Sequence, residues 1–178
     1  MRALLVVDMQ NACFTEARPR LDRPGVTSRI NALARALRPA GPVVWIQHTD
    51  PAEGFPRDGE GWQLLPELEA APQDLRVEKE GCDSFLETAL DRLLRERGVD
   101  ELVICGCATD FCVDTTVRAA GSHGYRVVVA ADAHTTADRP HADAQTVIRH
   151  HNYVWSEFLL PRGAKIRVLP TAEILAGV

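Results

Sequence analysis

The sequence predicts an α/β fold in three layers, with helices on both faces of a doubly wound, six-stranded, mainly parallel sheet. Two observations predict it. Apolar strand-like runs alternate with helical patterns along the chain, the arrangement that generates right-handed βαβ units. The first of these runs, residues 3–7, reads Ala-Leu-Leu-Val-Val and has no polar position, as expected of a central strand covered on both faces. A length of 178 residues suits one such core, so residues 1–178 are read as a single domain without internal repeats or low-complexity tracts.

The elements follow in order. Strands are predicted at 3–7, 43–47, 75–78, 102–105, 126–130 and 165–168, each a short apolar or alternating run. Trp45 lies inside the second and is read as core. Helical patterns occupy 26–37, 85–97, 110–122, 141–153 and a short 171–175. Gly106 breaks the fourth strand, and Cys105 and Cys107, alternating on or after it, are expected on opposite faces. Thr109 or Asp110 then caps the helix that continues through Val113, Thr116, Val117 and Ala120. Two irregular stretches stand out. Residues 48–61 carry Pro51, Gly54, Pro56, Gly59 and Gly61, and 18–25 carry Pro19 and Pro24. The length of the first suggests a lid or binding loop, and both leave strands on the edge that carries the candidate site.

Three residues combine chemistry with position. Cys112 falls in the first turn of a helix directly after a strand. Unpaired N–H groups and the helix dipole there lower a thiol pKa, and the same N–H groups can hold an oxyanion. Lys79 is one of only two lysines, the other being Lys165, in a chain with 20 Lys and Arg together. A lysine, unlike an arginine, shifts its pKa readily, and this one ends the third strand. Asp8 follows the apolar first strand, where a carboxylate must be paired or functional. All three lie at carboxyl ends of strands, where open α/β sheets bind ligands.

Composition narrows the classes. The formal net charge of −5 argues against a nucleic-acid or anionic-membrane surface. No apolar run reaches membrane-spanning length. Five cysteines without a framework spacing argue against a disulfide scaffold and for the reducing cytoplasm.

The motifs Val7-Asp8-Met9-Gln10-Asn11, Lys79 followed by Ser84-Phe85 and Thr88-Ala89-Leu90, Gly106-Cys107-Ala108-Thr109-Asp110-Phe111-Cys112-Val113, and Asp132-Ala133 together resemble the isochorismatase-like cysteine hydrolases. That family includes nicotinamidase and N-carbamoylsarcosine amidase. The resemblance covers nearly the whole chain. It implies a Rossmann-like strand order and a triad of Asp8 as base, Lys79 as polarising cation and Cys112 as nucleophile. It also implies an oxyanion hole from the N–H groups of Ala108 and Cys112, and a cis peptide at Cys107–Ala108. Isochorismatase itself acts without the cysteine, so Cys112 points to C–N bond hydrolysis through a thioester. Nicotinamidases open a metal site with Asp-x-His after the second strand. Ile46-Gln47-His48 lacks that Asp, so no metal and no cofactor are expected.

Substrate-binding candidates are Phe14, His48, Trp62 and Thr109. Each has a plainer reading: Phe14 is one residue out of place against nicotinamidases, His48 a hydrogen-bonded loop residue, Trp62 the anchor of a helix through Leu64, Leu65 and Leu68, and Thr109 a helix cap. The expected partner is a small-molecule amide, ureido acid or lactam, and the family commonly forms dimers or tetramers. Two other classes fit less of the pattern. A catalytically idle binding or assembly module has no use for a complete triad, and a redox thiol protein pairing Cys112 with Cys107 leaves Asp8 and Lys79 without purpose.

Overall fold

The computed structural model describes residues Met1–Val178. Its strands are β1 (Arg2–Val7), β2 (Val43–His48), β3 (Leu75–Lys79), β4 (Glu101–Cys107), β5 (Arg126–Thr135) and β6 (Arg167–Leu169). They form one six-stranded sheet in the order β3-β2-β1-β4-β5-β6, and every neighbouring pair is parallel. The helices are α1 (Arg23–Leu37), α2 (Leu90–Glu96), α3 (Asp114–Ser122), α4 (Ala144–Ser156) and α5 (Thr171–Ala176). None of them is long and apolar enough to cross a membrane.

Strand alternation divides the core into two layers. Ala3, Leu5 and Val7 of β1 pack with Leu90, Leu94, Val117 and Trp155 on one face. Leu4 and Val6 pack with Ile30, Leu33 and Leu37 of α1 and with Ile174 of α5 on the other. Trp45 is fully buried in the second layer, and its indole N–H donates to Asp74 Oδ2 at 2.8 Å. The strand order reverses between β1 and β4, so the crevice beyond their carboxyl ends is the ligand position this architecture favours.

Four local readings of the sequence need correction. Gly106 does not end β4. The strand runs through it to Cys107, because glycine accepts φ +123° and lets β1 approach: a Cβ there would lie 2.1 Å from the Val7 carbonyl oxygen. Cys105 and Cys107, two residues apart on one continuous strand, therefore share a face and the same core layer. The helix predicted over 85–97 begins only at Leu90. Glu87 sits in the left-handed region at φ 56°, and the Thr88 hydroxyl donates to the Ser84 carbonyl and accepts from Leu90 N–H, so residues 84–88 form a turn. Finally, α1 starts inside the second irregular stretch, where Asp22 accepts from Gly25 N–H and Pro24 occupies the first turn.

Candidate active site

β1 delivers Asp8 to the reversal point. Its backbone is left-handed at φ 46°, and its N–H donates to the Ile46 carbonyl of β2 at 2.9 Å. The carboxylate is buried; Oδ2 accepts from Lys79, and Oδ1 has no hydrogen-bond partner. Two residues on, Gln10 ties the ends of β1 and β2 together. It accepts from His48 N–H at 2.7 Å and donates to the carbonyls of His48 and Trp62.

Lys79 closes β3, the edge strand, and its side chain reaches past the end of β2 to the centre of the sheet. A lysine has the length for this and a compact tip. Nζ donates to Asp8 Oδ2 at 2.7 Å, to the Gly81 carbonyl at 2.9 Å and to Cys112 Sγ at 3.2 Å. Three donors meet three acceptors, which offsets the cost of a fully buried ammonium. Burial, the largest influence, lowers its pKa, but Asp8 and Cys112 outweigh it and the net shift is upward. Lys79 is therefore a fixed cation.

β4 delivers the third member. Cys107–Ala108 is a cis peptide, and Thr109–Val113 then form one π turn before α3 begins. The Ala108 carbonyl accepts from Phe111 N–H and Val113 N–H, both at 3.1 Å. Neither Thr109 nor Asp110 caps the turn. Thr109 instead joins its hydroxyl to His134 Nδ1 at 2.8 Å, and Asp110 accepts from Thr136 and from two nitrogens of Arg139. Cys112, half-buried on this turn, also departs from expectation. Burial pushes its thiol up, the Asp8 carboxylate pushes it further, and Lys79 pulls the other way. The net direction is upward, the reverse of what a helix start alone predicts.

A cavity of about 300 Å³ opens beside this cluster. Asp8, Cys107, Ala108 and Cys112 form its floor; His48, Phe55 and Phe111 stand on its walls with Arg18, Arg20 and Arg139. His48 is the one substrate-binding candidate of the four that lines it. Its ring Nδ1 is buried without a hydrogen-bond partner, contrary to the reading of a bonded loop histidine, and it meets Phe55 edge-on at 5.3 Å. The other three lie elsewhere. Phe14 packs against the α1 core layer under the Arg23 guanidinium. Trp62 is buried and donates to Thr49 Oγ1 at 2.9 Å, and no helix follows it. Thr109 is fully buried behind the turn. No group of three His, Cys, Asp or Glu side chains is arranged to hold a metal ion.

His134, Arg20 and Arg139 had no sequence signal, since only the tertiary fold brings them here. His134 anchors the π turn. Asn152 donates from Nδ2 to the Ala131 carbonyl, so its Oδ1 faces His134 Nε2 at 2.9 Å and receives that proton; Nδ1 then accepts from Thr109. The imidazole is neutral, and burial lowers its pKa to about 4 from an ordinary 6.5. The unfolded chain takes up this proton at higher pH than the folded one. Stability from His134 is therefore complete above about pH 6.5 and lost as pH falls through about 4, to a total of about 3 kcal/mol. Denaturant titrations from pH 7.5 to 4 are expected to show His134→Gln losing about that much less than wild type over the interval. Parallel profiles would contradict the assignment.

Comparison with known proteins adds an independent line. The isochorismatase domain model matches residues 2–155. Streptothricin hydrolase of Streptomyces noursei is 38% identical over 182 residues, covering 100% of this chain and 65% of the relative. The chain thus spans just under two thirds of that relative's length. The ureidoacrylate amidohydrolase RutB of Pseudomonas syringae pv. syringae is 35% identical over 74% of this chain and 69% of its own. Among solved structures, a cysteine hydrolase from Pseudomonas syringae pv. phaseolicola superposes with a TM-score of 0.88 at 25% identity, covering 98% of this chain and 91% of that one.

Proposed function

This chain belongs to the isochorismatase family, and on that premise we propose that it is a cysteine-dependent amidohydrolase. Its substrate is a small amide, ureido compound or lactam, cleaved at the C–N bond through a thioester on Cys112. The observation that carries the proposal is a single ammonium, Lys79 Nζ, bonded to both the Asp8 carboxylate and the Cys112 sulfur on the floor of a cavity. The names of the relatives, a streptothricin hydrolase and a ureidoacrylate amidohydrolase, support the same reaction class.

The proposed chemistry follows from the contacts of Lys79 with Asp8 and Cys112. Asp8 accepts the thiol proton of Cys112, and Lys79 stays charged and stabilises the thiolate as it forms. The sulfur attacks the carbonyl carbon. The N–H groups of Ala108 and Cys112 hold the oxyanion, a contribution of about 3–4 kcal/mol per donor in such sites. Asp8 returns its proton to the departing nitrogen, which leaves as an amine or ammonia. A water then gives a proton to Asp8 and attacks the thioester; the carboxylic acid leaves and the proton returns to sulfur. No cofactor or metal enters the cycle. A reducing cytoplasmic setting is proposed from the number and spacing of the five cysteines in the sequence, and a homo-oligomer, dimer or tetramer, is the proposed assembly. The reading is tested by assaying a panel of small amides, ureido acids and lactams for amine release or ring opening. Hydrolysis of at least one member that iodoacetamide abolishes is expected; hydrolysis insensitive to thiol alkylation would overturn it.

A further inference from the structure

Within the cavity, Arg20 is a cation that the protein leaves unbalanced. Lys79 is matched by Asp8 at 2.7 Å and Arg139 by Asp110 at 2.7 Å. Arg20 forms no ion pair, although Asp8, engaged by Lys79, and the exposed Glu53 line the same cavity. Its Nε donates to the Cys13 carbonyl at 2.8 Å, and its Nη1 is buried without any hydrogen-bond partner. A buried charged donor without an acceptor is costly, a cost a ligand removes by supplying the acceptor. Arg20 also borders a second, neighbouring cavity of about 560 Å³, lined by Leu21, Asp22, Ala137 and Asp138 among others. It therefore stands at the seam between the space over Cys112 and the space beyond.

We propose that Arg20 is an anion-binding residue of this site and that the substrate is an amide carrying a carboxylate. The amide carbonyl lies over Cys112, and the carboxylate lies at the seam against the Arg20 guanidinium. With Nε committed to the Cys13 carbonyl, the Nη nitrogens are the donors left for a carboxylate. One unmatched half-buried charge suits a monoanion. Arg18, exposed on the same wall, adds long-range attraction. This assignment rests on the amidohydrolase reading, yet the two fail separately.

The test is protection of Cys112 from iodoacetamide, read by mass spectrometry on the peptide that carries it. The probes are the dicarboxylates from malonate to adipate and their monoamides, at constant ionic strength. At least one probe is expected to slow alkylation tenfold or more in wild type, with sulfate and chloride ineffective. Arg20→Gln is expected to weaken that protection at least tenfold, and Arg20→Lys, which keeps charge without the fork, severalfold; Arg20→Lys alone decides if Arg20→Gln does not fold. The wild type is also expected to hydrolyse a monoamide in preference to its chain-matched neutral amide, a preference that shrinks at least tenfold in either variant. No protection by any probe, equal protection in wild type and variants, or equal protection by sulfate overturns the carboxylate site. A monoamide that protects through Arg20 but is not hydrolysed overturns the amidohydrolase reading instead.

Discussion

Cys112→Ala is expected to lower turnover of an amide substrate by at least about 10⁴-fold, the scale on which removing a covalent nucleophile acts. Folding should hardly notice. The residue is half-buried on a π turn and packs at the margin of the core, so losing one sulfur costs about 1 kcal/mol. The substitution also removes one acceptor of Lys79 Nζ, but its Asp8 and Gly81 partners remain. Activity and melting temperature are the paired measurements. Loss of both would mean the cysteine is structural, and retention of both would mean another group does the chemistry.

Asp8 and Lys79 behave differently because each neutralises the other out of water. Their side chains are 3% and 0% exposed. Removing either charge alone leaves the other buried and unpaired, at about 3–5 kcal/mol. Asp8→Asn and Lys79→Met are each expected to lose about that much stability and, measured where they stay folded, nearly all turnover. The double variant Asp8→Asn/Lys79→Met removes both charges and should regain most of the stability while remaining inactive, since no base is left for the thiol. Lys79→Arg keeps the charge but not the geometry. A planar fork cannot replace a tip that points three protons at Asp8, Gly81 and Cys112, so its activity should be nearly as low. Denaturant melts and initial rates on the four proteins separate a catalytic pair from an ion pair kept for stability. A stable double variant with wild-type rates would reduce the pair to structure.

Much of this architecture was legible because it rests on short-range patterns. The unbroken apolar run before Asp8 could only be a central strand, and a rare lysine at the end of another strand marked the same edge of the sheet. What escaped depends on neighbours far away in sequence. Gly106 looks like a stop in one dimension and proves to be the point where β4 closes on β1. Thr109 reads as a cap until His134, from β5, claims its hydroxyl. Phe14 and Trp62 are aromatic residues in loops near strand ends, which suits a pocket wall equally well. The packing sends Phe14 against the α1 core layer and fixes Trp62 through hydrogen bonds to Thr49, Gln10 and Gln47. The thiol's upward shift was likewise hidden, because a sequence shows the helix start but not the burial and the Asp8 carboxylate that outweigh it. Arg20 is one arginine among many until its place on the cavity wall, together with its buried, unpartnered Nη1, sets it apart.

The most direct measurement is the mass of the enzyme caught in turnover. Mixing wild type with an amide that it hydrolyses and quenching in acid should yield protein heavier by the acyl group, with the added mass on the peptide carrying Cys112. The adduct should disappear as substrate is exhausted and should never form in Cys112→Ala. Product formation with no adduct at any quench time, or an acyl group on another residue, would contradict a thioester at Cys112 and with it the cysteine-hydrolase account.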